Sequence, residues 1–119
     1  MIVTNLLTLH NQLKINHWQT ESYAQHQAFG DTYGDLTDKI DEFVETFMGK
    51  YGRIESREGF KIELSNYNNN GVVDFIDQYI NYLVNDLPKD LEETDTDLLN
   101  IRDEMLGSLN KLKYLLTLT

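Results

Sequence analysis

Phe29-Gly30-Asp31-Thr32-Tyr33-Gly34-Asp35-Leu36-Thr37-Asp38-Lys39-Ile40-Asp41-Glu42-Phe43-Val44-Glu45-Thr46-Phe47 repeats an apolar side chain every three or four residues. At 3.6 residues per turn, Phe29, Tyr33, Leu36, Ile40, Phe43, Val44 and Phe47 fall on one face of a helix. No proline interrupts the run, so the spacing predicts a helix from about Tyr23 to Lys50. Upstream, Ile2, Leu6, Leu9 and Leu13 mark a first helix over about Ile2–Trp18. Gln19-Thr20-Glu21-Ser22 joins the two, with Ser22 placed as an N-cap. So short a connection makes them an antiparallel hairpin.

Downstream, residues 49–71 read as irregular. They hold four of the 7 glycines, the Asn68-Asn69-Asn70 tract and four of the ten basic residues (Lys50, Arg53, Arg57, Lys61). A third helix is expected over about Val72–Leu87, carried by Val72, Ile76, Tyr79, Ile80 and Leu83. Pro88 and the acidic 90–97 stretch separate it from a fourth, which starts near Thr96 and carries Leu98, Ile101, Met105, Leu109, Leu112 and Leu116. The fold class is therefore all-α: one domain over residues 1–119, a four-helix bundle with an irregular segment between helices two and three.

Composition narrows the function. Twenty acids against 10 bases give a net charge of −10, which argues against binding DNA or an anionic membrane, since phosphate contacts need clustered Lys and Arg. Zero cysteines exclude disulfide frameworks, thiolate zinc sites, iron–sulfur clusters and thiol nucleophiles. No apolar run has the length of a membrane span. The opening Met1-Ile2-Val3-Thr4-Asn5-Leu6-Leu7 lacks a basic stretch and a small-residue cleavage site, so it is expected to be structural. The expected location is the cytoplasm.

All three histidines lie within the first 26 residues. His10 and His17 sit seven apart, within about 40° of Leu6 and Leu13 on a wheel of roughly 100° per residue, and so share one stripe. Such imidazoles are either core groups bonded to neighbouring carbonyls and carboxylates, or metal ligands. On the second helix His26, Thr37, Asp41 and Glu45 follow one edge of the aromatic stripe, with Asp41 and Glu45 one turn apart. Asp31, Asp35, Asp38 and Glu42 lie further round, as a solvated face would. Imidazole with carboxylate and no thiolate suits iron, manganese or zinc.

His17-Trp18 followed by His26-x-x-Phe29-x-x-x-Tyr33-x-x-Leu36-x-x-x-x-Asp41-Glu42-x-x-Glu45 resembles the core pattern of Dps-type mini-ferritins, over about residues 5–50. The longer string His17–His26, with Gly49-Lys50-Tyr51-Gly52-Arg53 beyond, looks closer still to a small group of ferritin-like proteins of bacteriophage genomes. The resemblance implies a ferritin-like bundle, a homo-oligomer, and an iron site of His17, His26, Asp41 and Glu45 from the first helix pair, shared between subunits, with ferroxidase chemistry. It also implies the host cytoplasm as location if the chain is phage-encoded. Three departures stand out. The family's aspartate four residues after its second histidine falls on Gly30, the connection between the histidines is about three residues shorter, and no Glu-x-x-His occurs.

Two other classes of function compete. One is a non-catalytic oligomer that captures a small anionic, nucleotide-like signalling ligand of the host, or a host protein, through Lys14, Trp18, Lys50, Tyr51 and Arg53. Against it, the Gly49-x-x-Gly52 stretch reads more simply as a helix stop with cations at the helix C-terminus. The other is a purely structural oligomer in which Trp18, Tyr23, Phe29, Tyr33, Phe43 and Phe47 fill the core and the acids confer solubility.

Overall fold

A computed structural model describes residues 1–119. Helix α1 spans Ile2–Gln19, α2 Tyr23–Tyr51, α3 Val72–Asn81 and α4 Thr96–Leu115, with no strand. The chain is a helical bundle. Helix α1 packs on α2, α2 on α4, and α4 on α3 and its continuation. At 29 residues α2 is the longest element, about 43 Å at 1.5 Å per residue, and it sets the 43 Å long axis of the molecule.

Both ends of α2 follow from the sequence. The Ser22 hydroxyl accepts from the Gln25 N–H, as an N-cap should. Gly52 closes the helix at φ 88°, a conformation that strains any residue with a Cβ. The core joins all four helices. Leu6, Leu9 and Leu13 meet Phe29, Leu36 and Phe43, and α4 adds Leu98, Met105, Leu109 and Leu112. Tyr33, Val44 and Phe47 are only half-buried at its margin. Trp18 and Tyr23 are not core residues: they remain 65% and 75% exposed. They flank the α1–α2 turn, where no third element covers them.

The third helix changes form before its predicted end. Beyond Asn81 it widens into a π turn over Tyr82–Asp86 and a 3₁₀ turn over Leu87–Asp90. The Leu87 N–H reaches back five residues to the Tyr82 carbonyl, and Pro88 has no N–H to offer. The Leu83 carbonyl thereby loses its helical donor, and Arg102 of α4 supplies one at 3.0 Å. Leu83 and Leu87 are both fully buried through this shift. It leaves one polar orphan, the buried Tyr82 hydroxyl, and burial pushes that phenol up to about 12.

Residues 52–71 form an extended strap along the bundle. Between Arg53 and Leu64 its only hydrogen bond is the Gly59 N–H to the Ser56 carbonyl. Further on, the buried Gln12 amide acts as a peptide surrogate, donating to the Ser65 carbonyl at 2.9 Å and accepting from the Ser65 N–H at 2.8 Å.

Candidate functional site

His17 ends α1 and His26 begins α2, so the short turn sets them face to face. Their rings stack with centroids 3.8 Å apart and planes 17° from parallel. The His17 Nδ1 lies 2.7 Å from the His26 carbonyl, and the His26 Nδ1 lies 2.8 Å from the His17 carbonyl. A carbonyl can only accept, so each Nδ1 carries a proton, which fixes the tautomer in which Nε2 is the nitrogen with a lone pair to offer. The His17 carbonyl belongs to the last turn of α1, where no helical donor follows, and His26 fills that vacancy. Neither Nε2 has a protein partner, and neither is buried. Such a carbonyl-fixed imidazole is the form in which histidine ligates metals.

Gly30 makes this packing possible. A Cβ there would lie 2.9 Å from the His17 Cε1 and 3.0 Å from its Nδ1. The place that the mini-ferritin pattern gives to an aspartate is thus filled by the His17 ring. Tyr33 sets its edge against the same ring at 5.3 Å. Lys14 lies 5.5 Å above the Tyr33 ring and 5.9 Å from that of Trp18. One helical turn deeper, His10 bonds Thr37 through Nε2 at 2.7 Å. Its pKa is lowered, first by burial and then by the Lys14 charge.

The carboxylates lie elsewhere. Asp41 and Glu45 are exposed on the same helix as His26, but Asp41 is about 22 Å further along it at 1.5 Å per residue. Within one chain, no group of three or more His, Asp or Glu residues could hold a metal ion. The two rings do not converge on one ion either, because their lone pairs lie in nearly parallel planes. The four residues split two and two between the ends of the hairpin.

The anion-binding candidates split the same way. Lys14 and Trp18 stand beside the histidines, while Lys50, Tyr51 and Arg53 lie at the far end of α2. Lys50 is already engaged, 2.8 Å from Asp95 and 2.6 Å from Asp97, and the Tyr51 hydroxyl donates to Asp95. Asp95, only 3% exposed, also accepts from the Glu92 N–H. Its carboxyl is held down at about 2, foremost by the Lys50 ammonium and then by Tyr51. This clamp joins the C-terminus of α2 to the N-terminus of α4. The sequence gives it one signal, an Asp just before a helix start.

The profile of a family of unknown function, DUF5856, matches residues 17–116, most of the chain and every helix but the greater part of α1. The chain belongs to this family. A 37-residue segment is 43% identical to an uncharacterized 14.6 kDa protein in the mobD-ri intergenic region of Enterobacteria phage T4. That segment covers 31% of this chain and 29% of the phage protein, so the chain spans well under a third of its relative's length. No solved structure matches the chain. The DUF5856 match begins at His17, so the stacked histidine pair, Gly30 and the Asp95 clamp all fall inside the family's region.

Proposed function

We propose that the protein is a ferritin-like oligomer that takes up iron at sites built between copies, His17 and His26 of one chain facing Asp41 and Glu45 of another. The observation that supports this most is the reciprocal Nδ1–carbonyl lock, which leaves both Nε2 atoms free and open to solvent. Nearly parallel rings offer these nitrogens to separate ions rather than to one. Two hairpins laid antiparallel bring each histidine end onto the other's carboxylate end. The axis of such a pair passes near Gly34, which is exposed and has nothing within 4 Å of a notional Cβ, so a second helix can approach closely. Bound Fe(II) would be the substrate, losing one electron to dioxygen or peroxide while the carboxylates hold the ferric product. The net charge of −10 favours cation capture.

Complementation between two defective variants tests the reading. His17→Ala/His26→Ala and Asp41→Ala/Glu45→Ala should each bind no Fe(II) above background in an anaerobic titration. Mixed in equal amounts and allowed to exchange, they should recover about a quarter of the wild-type stoichiometry, because half of the pairs are then mixed and each mixed pair holds one intact and one empty site. Two inactive variants that stay inactive when mixed, in mass-verified mixed oligomers, would reject the shared site. A wild-type protein that binds no Fe(II) would reject iron altogether.

A further inference from the structure

At the end of the bundle away from the histidines lies a cavity of about 380 Å³. Its floor is apolar, made by Ile2 and Val3 of α1 with Phe43, Val44 and Phe47 of α2. Gly52 turns the chain at φ 88° so that the first residues of the strap form its outer wall. The size suits a small organic molecule. Three charged side chains line it, Arg53 and Glu55 on the strap and Asp90 after the π turn, and Met1 adds its terminal ammonium. All three are exposed, and none takes part in an ion pair, although six such pairs form elsewhere.

That rim restricts the occupant. A ligand seated on the floor displaces water from the charged groups beside it, and an ion that loses water without gaining a partner is costly. An uncharged ligand leaves all of these groups unanswered. An anion answers Arg53 and the Met1 ammonium but faces two carboxylates, and a cation answers the carboxylates but faces the two cationic groups. We propose that the cavity binds a zwitterion with an apolar body, of the chemical class of a free hydrophobic amino acid. The apolar body rests on Val44 and Phe47, the carboxylate meets Arg53, and the ammonium meets Asp90 and Glu55. The site is independent of the iron reading, since no residue is shared.

Three probes with one body and different heads test it: phenylalanine, phenethylamine and 3-phenylpropionate, titrated into the full chain. Methyl NMR signals of Val3, Val44 and Ile54 report on the cavity, with Ile76 as a remote control. Phenylalanine should bind at least about tenfold more tightly than either singly charged probe and shift the three methyls but not Ile76. Arg53→Gln should bring phenylalanine and phenethylamine to within about threefold of each other. Glu55→Gln/Asp90→Asn should do the same for phenylalanine and 3-phenylpropionate. None of the three side chains makes an ion pair in the fold, so both variants should melt like the wild type. Equal binding of all three probes, preference for a singly charged one, or no shift at the cavity methyls would overturn the proposal.

Discussion

At the first turns of α2, Gln25 is joined to Thr20, Tyr67 and Asn69 by hydrogen bonds between uncharged groups. At its last turn, Lys50 and Tyr51 close on the carboxylates of Asp95 and Asp97. Both arrangements fasten an end of the longest helix to a segment more than 40 residues away in sequence. The neutral fastening does not titrate between pH 2 and 8, whereas the charged one depends on ionised carboxylates. The difference also decides which groups remain available. Lys50 spends its charge inside the fold, while His17 and His26 satisfy the backbone through one nitrogen each and keep the other free.

Breaking the charged end should have the larger effect. Asp95→Ala leaves the Lys50 ammonium and the Tyr51 hydroxyl without their shared acceptor, and Tm should fall by about 10–15 °C. A loss below about 3 °C in a thermal melt would show that the clamp does not hold α4 in place. The same clamp has a pH signature. The Asp95 carboxyl stands at about 2 against an ordinary 3.8, so its stabilisation is complete above the ordinary value and disappears as pH falls through the folded one. Melts between pH 5 and pH 2 should therefore show a steep loss that Asp95→Ala lacks.

The histidine end can be probed with two glycines one turn apart. Gly30→Ala drives a methyl into the His17 ring and should cost about 1–3 kcal/mol in urea unfolding. Gly34→Ala meets no neighbour and should stabilise an isolated chain by about 0.5–1 kcal/mol, the ordinary helix preference of alanine over glycine. Equal effects of the two changes would mean that the stacked rings do not depend on Gly30.

The smallest effect belongs to His10. Burial and Lys14 lower its pKa below the ordinary 6.5, so the folded chain binds protons less readily than the unfolded one. Stability is full above pH 6.5 and declines as pH falls below it. The urea midpoint should drop by about a few tenths of a molar from pH 7 to pH 5, and His10→Gln should remove that part of the slope.

Much of this architecture is legible in the sequence because helix periodicity is a local signal. The limits of α1 and α2, the Ser22 cap, the Gly52 stop and the solvated acids at 31, 35, 38 and 42 all follow from spacing and residue type. Features set by tertiary neighbours are not legible. Trp18 and Tyr23 have the residue types of core positions, but at the turn no element arrives to cover them. Asp95 sits in an acidic run that reads as a spacer, and its cation is 45 positions upstream. The histidine lock is hidden for another reason: its acceptors are backbone carbonyls, which every residue possesses. Spacing could nominate His17 and His26 without indicating how they are held.

The strap divides the chain almost evenly. Residues 53–58 make no hydrogen bond to any helix, so a protease cut after Arg57 would break one covalent bond and leave every helix–helix contact intact. The products would be two helical halves, α1–α2 and α3–α4, facing each other across the apolar surface they already share. Such a nicked protein is a split reporter in waiting: two separately expressed pieces whose reassembly reads out the strength of that shared surface.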